Sequence, residues 1–530
     1  MWLWILSAVS ALLQILPFPI AGPVPPLRRL FCWVCLVPLL LALTTDGRKA
    51  PSTKQCAWIG YLCGVLWYLG NCYWIYQTMY LYGGIAKPIS LLILLLFSLY
   101  VGLYHALFGA CIGWLRTRWG RTAALAISPL CWVAVELARA RITGFPWDLL
   151  GNTLVEGSAA RILAPVAGVM GLSLLVAAVN AGIAALLWAG VQRRSSRSFR
   201  SLLLWAAAVV LFSTAAFVTS TPRLTVNLQV GASAVLMQEN LDVGAEATGP
   251  KESKQQMFVD FSARSLAAER PGTDVMLWPE SPAPFEDADP AFRAAMASLA
   301  QNASAPVIVD NLGVDLDHTD SRGYKLYNSA DVFNAAGEFV GRYDKMHLVP
   351  FGEYTPYKQI FFFAGSLLDD VGKFSPGKSR QTFLLGGRRY GVFICYESIF
   401  GDEIRQFVLQ GANVLVNLSN DGWYGDTSAP WEHLDMVRMR AIENHRWVLR
   451  ATNTGISGAI SPDGVLTTDI SRHQRLAALV GFNFEDGTTF YTRHGDWIAW
   501  ICAAITAFMM VAGYWRRPRA EVAGFNAAAR

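Results

Sequence analysis

The chain has 530 residues, 53% of them hydrophobic and only 16% charged, with a mean hydropathy of +0.32. Soluble domains carry about 25% charged residues, so the composition excludes a wholly soluble protein, and the length excludes a single core. A net charge of +5 gives no reason to expect a nucleic-acid partner, and there is no low-complexity tract and no repeat of about 20–50 residues.

From Met1 to about Ser220 one hydrophobic segment follows another. Seven candidate spans lie near 2–20, 27–44, 56–75, 87–115, 123–142, 161–191 and 201–219. Each approaches the ~20 apolar residues that a bilayer crossing takes. "WIAWICAAITAFMMVAGYW" at 497–515 makes an eighth. The first segment has an alternative reading as a cleaved signal peptide. It lacks a positively charged start and a small-residue cleavage site before the next span, so a retained helix is expected.

Orientation follows from Lys and Arg in the short connections. Arg48, Lys49 and Lys54, then Arg116, Arg118 and Arg121, then Arg193, Arg194, Arg197 and Arg200 fall in alternate connections. Arg516, Arg517 and Arg519 in the tail join them, while Arg28, Arg29, Arg139 and Arg141 are exceptions on the other side. The basic side is expected to be cytoplasmic, with both termini, and the segment between spans seven and eight to be exported. The expected organisation is a seven-span transmembrane domain at 1–220, an exported domain at 221–488, and a final helix with a cytoplasmic tail at 489–530.

Of nine cysteines, eight (32, 35, 56, 63, 72, 111, 131 and 502) fall in or beside the expected spans, where Cys behaves as a small hydrophobe. Cys395 is alone in the exported segment, so it has no partner there for a disulfide. In an oxidising compartment it is either a buried, inert thiol or a group in use.

The exported segment reads as α/β. Strand-like runs lie at 233–238, 274–280, 305–311, 326–333, 338–345, 389–397, 413–421 and 447–462, and helical patterns at 252–269, 290–302, 399–410 and 430–444. Ser428 and Pro430 mark the start of the last helix. Alternation first and hairpin-like pairs later predict a layered mixed sheet. Three runs end in reactive groups: "LWPE" at Glu280, "GRYDK" at Lys345 with Glu353 eight residues on, and "FICYE" at Cys395. In α/β sheets functional groups collect where strands run out. Singly, each has an ordinary reading: a surface carboxylate for Glu280, a solvated strand end for Lys345, a turn cap for Glu353. Tyr396 and Glu397 either satisfy each other or cap the next helix.

The ordered set "LWPES", "YDKMHLVPFGEYTP", "FICYES", "LVNLSNDGWYG" and "MRAIENHRWVLRATNTGISGAISPDG" resembles the carbon–nitrogen hydrolase (nitrilase) superfamily. The flanking spans, the "HLVPFGEYTP" loop, "NCYWIY" at 71–76 and "TGFPW" at 143–147 make it similar, more narrowly, to the apolipoprotein N-acyltransferase family of the bacterial inner membrane. The likeness covers nearly the whole chain. It implies a polytopic α-helical membrane protein of about eight spans with an inserted α/β nitrilase-like αββα sandwich. It also implies a Glu280–Lys345–Cys395 triad acting as base, positive stabiliser and nucleophile. Glu353, Tyr396 and Glu397 match further positions around the site, and Asn328, Trp423 and Arg438 or Arg440 are supporting or substrate-facing candidates. The family usually carries a Trp-bearing arm after the first strand. Here the segment is "QENLDVGAEATGPKESKQQM", with no Trp.

The implied reaction moves a fatty acyl chain from a phospholipid to a cysteine thioester, and then to the N-terminal amine of a diacylated lipoprotein. It needs no cofactor and no metal, and a monomer is expected. The sequence has no His-Glu-x-x-His, no zinc-spaced Cys/His set and no dinucleotide fingerprint. "DLDHTD" at 315–320 lacks the Gly and terminal Glu of a calcium loop and reads as a hairpin tip. His347, His433 and His445 read as structural. Residues 357–374 are unusually apolar, and Phe361, Phe362 and Phe363 are expected to contact lipid as a lid. Two other readings stay open. A membrane-tethered amidase would use the same triad with water as acceptor. A transporter or scaffold would carry an inert domain, with Glu136 as the main ionisable group in a span.

Overall fold

The computed structural model describes residues 1–192, 230–244, 252–280, 283, 285–318, 320, 322–354 and 374–516. Among them, five helices are long and apolar enough to cross a membrane: Pro26–Leu43, Lys87–Trp119, Arg121–Thr143, Ser158–Ala189 and Trp497–Tyr514. Two more helices, Trp2–Ile15 and Thr53–Asn71, pack among them. The first stops short of the expected segment because Pro17 and Pro19 follow it, and proline cannot continue a helix. The expected span at 201–219 lies outside the described residues.

Small residues let the helices approach closely, as bilayer packing favours. A Cβ on Gly60 would lie 2.2 Å from the His105 carbonyl oxygen, and one on Gly109 2.2 Å from that of Cys56. Glu136 accepts bonds from the Trp132 indole (3.1 Å) and the Leu150 amide (2.8 Å). It therefore ties one helix to the next connection, and this role removes the main support for a transport pathway.

The helix Ser158–Gln192 breaks at Gly168 (φ 65, ψ −177), just after Pro165. The break exposes the Val169 amide, which donates to Glu443 at 2.8 Å. Glu443 belongs to the Ala429–Asn444 helix of the soluble part, so one part of the protein caps a broken helix of the other.

The soluble part is built on two six-stranded sheets. The first contains β1 (Ala232–Gln238), β2 (Val275–Trp278), β3 (Val307–Leu316), β4 (Tyr324–Phe333), β5 (Phe339–Asp344) and β12 (Leu476–Phe482), in the order β12-β1-β2-β3-β4-β5. The second contains β6 (Thr382–Leu385), β7 (Arg388–Ile394), β8 (Val414–Ser419), β9 (Val448–Thr452), β10 (Ser457–Ile460) and β11 (Leu466–Ile470), in the order β11-β10-β9-β8-β7-β6. Each sheet has a parallel centre, β1-β2-β3 or β7-β8-β9, and antiparallel edges.

Strand side chains alternate between faces. Ala234, Leu236, Val275, Leu277, Ile308 and Val332 pack toward the second sheet. Val235, Met237, Met276, Trp278, Val307 and Phe333 pack outward on Phe258, Phe261, Phe292 and Met296 of the helices Lys254–Ala268 and Pro290–Ala303. Helices Gly401–Leu409 and Ala429–Asn444 cover the second sheet. This is the expected αββα sandwich. The four predicted helices are present, and 447–462 resolves into the β9–β10 hairpin. Strands β6, β11 and β12 were not predicted. Strands β3 and β4 form the expected hairpin, and among the described residues at its end Lys325 pairs with Asp317 and Arg322 with Asp320.

Two stability predictions follow from local features. Gly168→Ala places a Cβ 2.4 Å from the Tyr491 ring at a left-handed φ. The strain and overpacking together should cost roughly 2–6 kcal/mol, read as a lower melting temperature in detergent. Asp331 in β4 is fully buried, and burial pushes its carboxyl up to about 7, with Asn311 opposing. The unfolded chain loses this proton near pH 4 while the folded one keeps it. Asp331 should therefore erode stability progressively from about pH 4 to pH 7. The difference in melting temperature between Asp331→Asn and the parent, followed across that range, should grow with pH.

Candidate active site

Ends of strands from both sheets meet at one edge of the sandwich. Glu280 follows β2, Lys345 follows β5, Asn328 lies in β4, and Cys395 follows β7. The Lys345 ammonium is 1% exposed and lies 3.1 Å from Glu280 Oε1 and 2.9 Å from Glu353 Oε1. The Asn328 amide donates to the same two oxygens, at 2.7 Å each. Burial works against the charge on Lys345, but the carboxylates of Glu280 and Glu353 outweigh it and hold the ammonium well above its ordinary range. Glu353 Oε2 accepts from the Val349 amide at 2.7 Å, so Glu353 caps the turn before it and not the one after.

With Oε1 doubly held, the buried Oε2 of Glu280 has no hydrogen-bond partner among the described residues. Burial first, then the Glu280 charge, pushes the Cys395 thiol well up, while Lys345 and a bond with Ser419 pull the other way. The Cys395 thiol is therefore held toward its neutral form, in the field of Glu280 and Lys345. Cys395 itself has φ 48 and opens a 3₁₀ turn, Cys395–Ile399. A left-handed non-glycine residue costs about 1–3 kcal/mol and persists where its surroundings over-determine it.

Glu397 supplies part of that hold. Its Oε2 accepts from the Ile394 amide at 2.7 Å, and its Oε1 from the Tyr343 hydroxyl (2.8 Å), the Met346 amide (2.7 Å) and the His347 amide (3.2 Å). One carboxylate thus ties the cysteine turn to the residues just after Lys345. The Tyr396 hydroxyl donates to the Gly144 carbonyl at 3.2 Å, so it reaches the "TGFPW" segment and not Glu397.

Other expected residues lie elsewhere. Trp423 is 42% exposed, while Tyr424 beside it is buried and near the charges of Cys395 and Glu280. Arg438 pairs with Glu156 at 2.6 Å and Asp435 at 3.0 Å, and Arg440 pairs with Glu443 at 2.9 Å. Arg438 thus serves the junction with the helical part, while Arg440 pairs within its own helix and reaches the Ile399 carbonyl at the end of the cysteine turn, at 3.5 Å. Phe361, Phe362 and Phe363 lie outside the described residues.

Sequence reasoning missed the layer behind Cys395: His433, Asp421 and Arg450, all fully buried. Asp421 follows β8 as Glu280 follows β2, and that strand-end signal was there to be read. His433 sits mid-helix and carries no such mark.

The chain matches the model of the apolipoprotein N-acyltransferase N-terminal domain over residues 10–182, and that of carbon-nitrogen hydrolases over 176–480. It is 32% identical to the apolipoprotein N-acyltransferase of Geobacter metallireducens over 97% of this chain and 96% of that protein. It is 32% identical to that of Methylococcus capsulatus over 90% and 91%. Among solved structures, an amidase of the nitrilase superfamily from Nesterenkonia matches at 16% identity and TM-score 0.36, covering 48% of this chain and 91% of its own.

Lys345→Met should leave Glu280 and Glu353 buried without their counter-ion, a loss of about 3–5 kcal/mol. Adding Glu353→Gln should restore part of it. A double-mutant cycle on melting temperature in detergent checks this, and no recovery in the double variant would remove the ammonium as the keystone of the cluster.

Proposed function

The chain belongs to the apolipoprotein N-acyltransferase family, and we propose that it acylates the N-terminal amine of diacylglyceryl-cysteine lipoproteins through a thioester on Cys395. The observation that carries this reading is the unpartnered Oε2 of Glu280, in a buried cluster whose charges act on the buried Cys395 thiol. As an acyl ester reaches Cys395, Glu280 takes the thiol proton and sulfur attacks the carbonyl. Lys345 is assigned to stabilising the oxyanion, an effect worth roughly 3–4 kcal/mol per donor in comparable sites. The intermediate collapses to the thioester, and Glu280 returns its proton to the departing glycerol oxygen.

In the second half the acceptor amine must be neutral. Its ordinary pKa is about 7.7–8.0, so loss of one proton to solvent is easy. The amine attacks the thioester, Glu280 takes the remaining surplus proton and passes it to the Cys395 sulfur, and the site is reset. The atoms balance as ester plus amine giving alcohol plus amide.

The donor is assigned to the phospholipids of the surrounding bilayer, because each acyl CH₂ drawn into water costs about 0.8 kcal/mol. The basic connections support an inner-membrane location with both termini cytoplasmic and the sandwich periplasmic. We assign the working form as a monomer, since all the groups used come from one chain. Asn328, Glu353, Tyr396 and Glu397 are assigned to holding the triad, and Trp423, on the exposed rim, to substrate contact.

Purified protein exposed to phospholipid should gain the mass of one acyl chain on the Cys395 peptide, and lose it when a diacylated lipopeptide is added. Cys395→Ser should show no adduct. An active preparation without the adduct would sink the thioester. Hydrolysis of small amides without acyl transfer would turn the reading to an amidase.

A further inference from the structure

Behind Cys395 lies a chain of fully buried polar groups that the proposed mechanism leaves unused. His433 Nε2 is 2.7 Å from Ser398 Oγ and 3.1 Å from the Cys395 carbonyl oxygen. His433 Nδ1 is 2.9 Å from Asp421 Oδ1. Arg450 bonds Asp421 Oδ2 at 2.7 Å and also meets Asn417 Oδ1. The order Ser398–His433–Asp421 has the geometry of a hydrolase triad. Ser398 is 0% exposed and no substrate can meet it, so the arrangement does something else.

The Cys395 carbonyl oxygen can only accept, so its contact with Nε2 calls for a proton on that nitrogen. Nδ1 lies between Asp421 Oδ1 and the Arg450 guanidinium, 3.3 Å away. The Nε2 donor is aimed at the nucleophile's own carbonyl. Cys395 is the residue with the left-handed φ, and its turn is gripped at two points: Glu397 on the Ile394 amide before it and His433 on the carbonyl after it. The ring is itself held from the helical part. Trp147 stacks on it at 5.9 Å and 21°, while the Trp147 indole donates to Glu432 Oε2 at 2.7 Å, one residue before His433.

We infer that His433 is a positioning residue for Cys395: its Nε2–H, aimed by Asp421 and by Trp147 of the helical part, clamps the carbonyl of the strained turn and so fixes the thiol against Glu280. This rests on Cys395 being the acyl carrier. A displacement of about 1 Å in such a group can slow a reaction 100-fold without touching substrate affinity.

The test is single-turnover acylation of Cys395 by phospholipid in the full-length protein in mixed micelles, followed by intact mass, with melting temperature recorded for each variant. Absence of acylation in the parent overturns the thioester reading itself, and the variants are judged only against an active parent. His433→Ala should slow the maximal acylation rate by about 100-fold, with the half-saturating phospholipid concentration unchanged within about threefold. A glutamine amide can take the place of Nε2 and an asparagine amide only that of Nδ1. His433→Gln should therefore recover at least about tenfold of the loss, and His433→Asn should behave like His433→Ala. Equal losses in all three, losses that track melting temperature, or an alanine variant within about threefold of the parent overturn the clamp. If none of the three folds, Asp421→Asn decides: a rate slowed about tenfold at unchanged half-saturation supports the clamp, and an unchanged rate overturns it.

Discussion

Taking an ammonium group out of water carries a penalty of several kcal/mol even after relaxation, and Lys345 is almost completely buried. Its neighbours offset that penalty. Glu280 and Glu353 stand on either side of it, and Asn328 bridges the same two oxygens from β4. These residues come from the end of β2, the middle of the sheet and the loop after β5, so the cluster can form only when the first sheet is assembled in register. The same bonds also decide the chemistry. They consume one oxygen of Glu280 and leave the other without a hydrogen-bond partner among the described residues, the oxygen that the proposed mechanism uses as the base.

The second sheet contributes the thiol, and Glu397 locks the two sheets together at this edge by bonding the Ile394 amide on one side and Tyr343, Met346 and His347 on the other. The helical part reaches the same place by several contacts: Gly144 to Tyr396, Trp147 to Glu432 and His433, and Val169 to Glu443. Arg141 pairs with both Asp402 and Asp496, at 2.9 and 2.8 Å, and Arg438 with Glu156. Most of these contacts are buried hydrogen bonds or ion pairs, which are strongly directional and lose heavily when one partner is removed. A junction made this way fixes the edge of the sandwich against the helical part, as the proposed lipid-borne donor requires.

What could be read from the sequence was whatever left a local mark. Glu280, Lys345 and Cys395 each end an apolar β-prone run, and their meeting place follows from where strands stop. The four sandwich helices have clear periodicity and caps. Strand β11 left no such mark, because "LTTDI" is an edge strand with a mostly exposed, polar middle. "LAALVGF" of β12 reads equally well as helix, and its strand state is imposed by antiparallel pairing with β1 at the far end of the sandwich. The contact of His433 with the Cys395 carbonyl is of the same kind: His433 lies in a helix with no distinguishing neighbours, and only the packing of that helix across the second sheet brings it to Cys395. Arg438 shows the opposite case, since a charged residue beside these motifs suggests substrate contact while its guanidinium is paired with Glu156 and Asp435.

A cysteine nucleophile is usually activated by lowering its pKa, yet here burial and the adjacent carboxylate push Cys395 upward. The two facts are compatible on the proposed mechanism. With the sandwich exported, as proposed, a permanent thiolate would be consumed by oxidation, whereas a neutral thiol waits. It becomes nucleophilic only when an ester carbonyl arrives to receive the electron pair as Glu280 Oε2 removes the proton. Such a device depends on geometry more than on resting charge, because the proton transfer and the attack must coincide. That dependence is the physical reason to grip the cysteine turn at both ends and to make the grip from residues that never meet the substrate.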